Sequence, residues 1–169
     1  MTDEDYMRQA LEQARMAADA GEVPVGAVIV AGGRIIARAH NLCERLRDFT
    51  AHAEMQAFTA ASEYLGGKFL DQCTLYVTLE PCPMCAGAAF WTRIGRVVYG
   101  ARDDKRGGLD FHGKRDEGLL HPKTELVGDC MHDMIRSNSP LKYWLYSCRK
   151  KCQENLLWFV YLERNLNEE

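Results

Sequence analysis

Apolar positions change period several times along the chain, and each change marks an element. Tyr6, Met7, Ala10, Leu11, Ala14 and Ala18 recur at helical spacing. Thr2 with Asp5 supplies a capping signal at one end of that run and Gly21 a stop at the other, so a first amphipathic helix is expected there. "PVGAVIVAGGRIIARAHN" follows, two β-branched runs around Gly32-Gly33, which is the composition of a two-residue hairpin turn. From Ala51 to about Leu65 the period returns to helical through Met55, Phe58, Ala61 and Leu65, closed by Gly66-Gly67. "CTLYVTL" is short and almost wholly apolar, a buried strand, after which "PCPMCAGAAFWTR" turns into a third helix and "GRVVYGA" forms another strand.

Helix, hairpin, then helix and strand in alternation describe an α/β domain, a mixed sheet with helices packed on its faces. An all-helical bundle would leave Val25 to Ala37 and Thr74 to Leu79 unexplained. "RDDKRGGLDFHGKRDEG" is glycine-rich and charged, hence a solvated loop, and "KTELVG" offers a fifth strand. Farther on, "DCMHDMIR" is helical, "SNSP" breaks it, and Leu145, Cys148, Cys152, Leu156 and Phe159 line one face of a long last helix. There is no internal repeat and no linker, so residues 1–169 are expected to form one domain, with a helical C-terminal extension from about residue 129.

Composition removes several classes of function. Hydrophobic residues make up 47% and charged residues 27%, close to ordinary soluble usage, and no apolar run approaches the roughly 18 residues of a membrane helix. The acidic start "MTDEDYMRQ" lacks a secretory core, and seven cysteines is an odd count. Both point to reduced thiols in the cytoplasm and away from a disulfide framework. A net charge of -3 gives no global attraction to nucleic acid, although a local basic patch can still act.

The chemistry sits in two short stretches, "TAHAEM" and "PCPMC". Cys82 and Cys85 are a C-x-x-C pair directly after a strand, with Pro81 and Pro83 suited to a first helical turn. Such a pair is half of a zinc site, a redox couple or two unrelated thiols. His52 alone is more often a structural histidine than a ligand, and Glu54 alone more often a solvated helix residue. Together they say more: one nitrogen and two sulfur ligands leave an open fourth position, as a catalytic zinc requires, and a neighbouring carboxylate can move protons. The candidates for a fourth ligand are remote: His40 and Cys73 precede the two motifs, and Cys130 and His132 lie downstream. In a regular helix His52 and Glu54 point roughly 200° apart. Both can reach one ion only if it lies off the end of the helix, so Thr50 is expected as N-cap and the metal between two helix N-termini.

H-x-E followed by P-C-x-x-C is the recognised signature of zinc nucleobase deaminases. "GEVPVGAVIV", "AHN", "TAHAEM", "LYVTLEPCPMCAGA" and "RIGRVVYGARDDKRG" narrow the resemblance to the bacterial tRNA-specific adenosine deaminases, over the chain from the first helix to about Gly107. That resemblance implies a cytidine-deaminase-like three-layer α/β/α sandwich with a central sheet of about five strands, a homodimer, and a tRNA anticodon loop as partner. The implied reaction converts the wobble adenosine to inosine. It further implies that His52, Cys82 and Cys85 hold one Zn2+ and that Glu54 shuttles protons. Asn41 would pair with the purine edge, Val23, Pro24 and Leu79 would wall the base pocket, and Asp103, Lys105 and Arg106 would meet the nucleotide backbone. Each also has a plainer role: Asn41 as the turn residue ending a strand, Val23, Pro24 and Leu79 in packing, the charged three in a solvated loop.

Two departures stand out. Phe49 occupies the place where the family usually has proline before "TAHAE", and "MIRSNSPLKYWLYSCRKK" is extra. Tyr143, Trp144, Tyr146, Arg149, Lys150 and Lys151 in that segment either extend an RNA surface or form a solvated basic face. Cys130, His132, Cys148 and Cys152 are expected to be free and not a second metal site. Two other activities use the same motifs: deamination of a free base or nucleoside, and a non-catalytic zinc-stabilised subunit that binds RNA.

Overall fold

In the computed structural model, residues 1–103, 107–109, 119–131 and 135 are described. Helix α1 spans Asp3–Asp19, strand β1 Gly26–Ala31, β2 Arg34–His40, short helix α2 Cys43–Leu46, α3 Ala53–Leu65, β3 Cys73–Leu79, α4 Pro83–Thr92, β4 Arg96–Ala101 and β5 Glu125–Val127. The sheet order is β2-β1-β3-β4-β5. β1 runs antiparallel to β2 and β3, while β3, β4 and β5 are mutually parallel, which gives the mixed five-stranded sheet expected from the sequence.

The hairpin follows from its turn. Gly32 and Gly33 have φ of +54° and +75°, the left-handed conformations that a turn matching the twist of the strands demands. α1 starts with a complete capping box between Thr2 and Asp5. It crosses β1 at Gly26, where any Cβ would collide with the Ala10 carbonyl, the Ala14 amide and the Gln13 side chain. Alternation therefore turns Val28, Tyr76 and Val98, which are in register, toward α1 and leaves Ala27, Val77 and Tyr99 for the opposite face. α3 packs on β1 and β2, with α4 beside it. Met7, Ile29, Leu75, Val77, Val97 and Val98 are fully buried between these layers.

The sequence places β5 correctly in "KTELVG" but does not anticipate α2. The C-terminal extension from about residue 129, including its helices and aromatic-basic segment, lies outside the described residues except for 129–131 and 135. His132, Cys148 and Cys152 fall outside them as well; Cys130 is free and half-buried.

Candidate metal and nucleobase site

The parallel strands β3 and β4 end on the same edge of the sheet as the start of β1 and the end of β2, and the candidate residues gather along that edge. α3 does not begin where the sequence suggested. Its N-cap is His52 and its first residue Ala53, whereas the Thr50 hydroxyl donates to Asp48 at 2.7 Å and caps nothing. His52 has no side-chain capping bond of its own. The cap arrives from elsewhere: Asn41, just past β2 and buried, accepts the Ala53 N–H at 2.8 Å through Oδ1. Local propensity could not show this, since the capping group lies 12 residues away. The His52 ring is thereby left to face the site.

α4 starts the same way, with Cys82 as N-cap in extended conformation and Pro83 in the first turn, so that Cys85 comes round beside Cys82. The two helix starts meet. His52 Nδ1 is 3.6 Å from Cys82 Sγ and 3.5 Å from Cys85 Sγ, and the three ligand atoms lie within 4.8 Å of one another. Zinc bonds of about 2.3 Å to sulfur and about 2.05 Å to nitrogen, at a tetrahedral angle, separate N from S by about 3.6 Å. The donor set and its spacing therefore fit a zinc-sized ion between two helix N-termini. The redox alternative for C-x-x-C does not account for the third member of this cluster.

The electrostatics are those of a site built for a cation. The Cys85 thiol donates to Cys82, and together with His52 it pulls the Cys82 thiol down to about 4, against the cost of burial. Cys85 is pushed up, first by that same hydrogen bond and then by burial and the nearby Glu54 carboxylate. His52 is raised, chiefly by its bond to Cys82. Glu54, only 4% exposed, stands in the first turn of α3, and burial raises its carboxyl above the ordinary range. A hydrogen bond from Cys85 opposes that shift, so the carboxyl is in contact with the cluster.

Of the remaining candidates, Val23 is half-buried, Pro24 and Leu79 are buried, and Asn41 is tied to the chain beside Val25 by its N–H on the Val25 carbonyl at 3.2 Å. These residues share the sheet edge with the cluster. Asp103 follows β4 and donates its N–H to Glu80 Oε2 at 3.3 Å. Lys105 and Arg106 lie outside the described residues.

Two buried glutamates escaped the sequence reading. Glu22, ahead of Val23 and Pro24, accepts the Glu44 and Arg45 amides at 3.0 and 2.9 Å and caps α2, whose own N-cap Leu42 cannot. Glu80 closes on the loop after β4: a Cβ at Gly107 would lie 2.5 Å from its carboxyl carbon, and Gly108 donates to the Pro81 carbonyl at 2.7 Å. A proline one or two residues after the acid was the only available signal, and it does not distinguish a buried carboxylate from a solvated one.

The fold and cluster define a cytidine-deaminase-like α/β domain able to hold one metal ion beside a buried carboxylate. The chain belongs to the MafB19-like deaminase family, whose model matches residues 1–136. It is 54% identical to the tRNA-specific adenosine deaminase of Bacillus subtilis over 105 residues, which are 62% of this chain and 65% of that relative, slightly under two thirds of its length. A solved tRNA:A34 deaminase, studied for A-to-I editing at the wobble position, is 42% identical with a TM-score of 0.69 and covers 73% of this chain and 91% of its own. The guanine deaminase of Bacillus subtilis is 38% identical with a TM-score of 0.59, over 71% of this chain and 72% of that one.

Proposed function

We propose that this protein converts the wobble adenosine of a tRNA anticodon to inosine by hydrolytic deamination, with one Zn2+ held by His52, Cys82 and Cys85. The observation that carries the proposal is the cluster itself, with His52 Nδ1 at 3.5 and 3.6 Å from two sulfurs and Glu54 buried against it. The names and titles of the relatives supply the substrate.

Bound there, zinc supplies the nucleophile for C6 of the base by lowering the pKa of a water. Glu54 would take the first proton of the attacking water and pass it to the ring nitrogen beside C6, then carry the second, from the new C6 hydroxyl, to the amino group, which leaves as ammonia. Burial raises this carboxyl, which favours its holding a proton between the two transfers. Asn41 spends its Oδ1 on Ala53, which leaves its amide N–H groups as donors to the purine edge. Val23, Pro24 and Leu79 exclude water from the base, and Asp103, with Lys105 and Arg106, holds the neighbouring backbone. A single-stranded loop suits such a site because a stacked, paired base cannot present its reactive carbon.

We assign the protein to the cytoplasm as a homodimer. Tyr64, Leu65 and Trp91, exposed near the ends of the adjacent helices α3 and α4, and Phe69 in the segment after α3 support self-association. Among the described residues no helix is long and apolar enough to cross a membrane.

Likeness to a guanine deaminase makes a free base the rival substrate. Mass spectrometry of products from a panel of anticodon stem-loops, guanine, cytidine and cytosine decides between them. Inosine at the wobble position, with the free substrates unchanged, is the expected result. Deamination of a free base with the stem-loop untouched overturns the assignment.

A further inference from the structure

The segment joining α2 to α3 is a rigid, hydrogen-bonded loop with one ring standing clear of it. Phe49 is 92% exposed, the most exposed large apolar side chain among the described residues. Its neighbours in the chain are anything but loose. Glu22 holds the Glu44 and Arg45 amides, and the Asp48 N–H reaches the Cys43 carbonyl at 3.0 Å. Asp48 Oδ1 accepts both the amide and the hydroxyl of Thr50 at 2.8 and 2.7 Å. The Ala51 N–H returns to the Asp48 carbonyl at 3.1 Å, and the Leu42 N–H crosses to the Ala51 carbonyl at 3.0 Å. These bonds fix the backbone on both sides of Phe49, so the ring cannot retreat into the core by a small adjustment of the loop.

Three further facts give that ring a purpose. It stands three residues before His52 on a loop tied to Leu42, the neighbour of Asn41, which places it at the rim of the site. Arg45 in α2 and Arg47 at its C-cap are exposed beside this loop, with Glu44 before them and Asp48 after them in the chain. Asp48 is exposed but its Oδ1 is taken up by the Thr50 amide and hydroxyl, and both guanidinium groups are on exposed residues within reach of a phosphate. Residues 44–50 otherwise carry one exposed aliphatic side chain, Leu46, too little apolar area for the core of a protein interface. A single flat ring flanked by guanidiniums is instead the equipment of single-stranded nucleic-acid binding, with stacking on the base and charge on the backbone.

We infer that Phe49 is a stacking platform for a base flanking the deaminated nucleotide, with Arg45 and Arg47 on the adjoining phosphates. This rests on the proposed tRNA substrate and adds a contact to it. The site holds the target base in its pocket, and the flanking base, unstacked when the target leaves, lies on Phe49. A preformed loop keeps the ordering cost of that contact low.

The test uses the zinc-loaded protein, Phe49→Ala and Phe49→Trp, and anticodon stem-loops in which each base next to the wobble adenosine is replaced in turn by 2-aminopurine or an abasic site. Dissociation constants and single-turnover rates are measured for each pair. F49A is expected to weaken binding about tenfold, within the range for loss of one stacked base, while F49W stays near wild type. Quenching of 2-aminopurine at one flanking position should disappear with F49A, and an abasic site at that position should erase the difference between F49A and wild type. Equal affinity of F49A and wild type for a stem-loop that both deaminate overturns the stacking alone, as does a defect that persists at every abasic position. A wild type that neither binds nor deaminates the stem-loop overturns the tRNA assignment and the stacking with it. Conversion of a dimer to monomers by F49A in sedimentation shows that the ring belongs to a contact between copies and also refutes the inference.

Discussion

At the scale of single residues, burial decides what Glu54 can do. A glutamate on a helix is ordinarily solvated, and nothing in "TAHAEM" alone removes it from water. The fold does, by docking the first turn of α3 against the start of α4, so that the carboxyl is raised and lies against the cysteine pair. Glu54→Gln keeps the size of the side chain and removes its ability to carry a proton. Zinc content, measured by elemental analysis, is expected to remain at one per chain, and the rate of inosine formation to fall by about 10²-fold or more. Retained zinc with undiminished turnover would take the proton-shuttling role away from Glu54. That His52, Cys82 and Cys85 come together, with Glu54 beside them, was legible from the sequence because residue type and spacing mark such a group. Glu22 and Glu80 were not, because a carboxylate that caps a helix or grips a glycine loop differs from a surface one only in what the rest of the chain places around it.

At the scale of elements, the starts of α2 and α3 are supplied from a distance, one by Glu22 and the other by Asn41. That is why α2 was missed and why α3 was begun too early, at Ala51 with Thr50 as its cap. α1 and the hairpin were read correctly because Thr2, Asp5 and Gly32-Gly33 act on their immediate neighbours. The inference that the metal lies off the helix end still agrees with the geometry, since His52 as N-cap stands at the very start of α3, beside the start of α4. Asn41→Ala leaves the first amide of α3 buried without its acceptor. A loss of about 1–2 kcal/mol is expected, comparable to removal of a good N-cap, read from denaturant unfolding of the zinc-loaded protein. An unchanged midpoint would mean that the α3 terminus finds another partner.

At the scale of the whole molecule, one ionic cluster ties the N-terminus of α1 to the sheet. Arg96 of β4 grips Asp3 with two bonds of 2.8 and 2.9 Å, reaches Glu125 of β5 at 3.1 Å, and the Tyr76 hydroxyl of β3 donates to Asp3 at 2.7 Å. The hydrogen bond from Arg96 holds the Asp3 carboxyl below its ordinary 3.8. A depressed folded value stabilises the fold fully above the unfolded value and ceases to do so as pH falls through the folded one. Asp3→Asn should therefore lower the melting temperature at pH 7, with the gap to wild type closing below about pH 4. Partial exposure of the pair keeps the effect modest. A gap that stays constant into acid would show that Asp3 contributes packing and capping, not charge.

The central claim is that His52, Cys82 and Cys85 form a three-ligand zinc site with an open position beside Glu54. X-ray absorption at the zinc edge of the purified, one-zinc protein tests it most directly. Two sulfur scatterers, one imidazole and one further light-atom ligand are expected. A third sulfur or a second imidazole would make the site a closed, structural one and contradict the account.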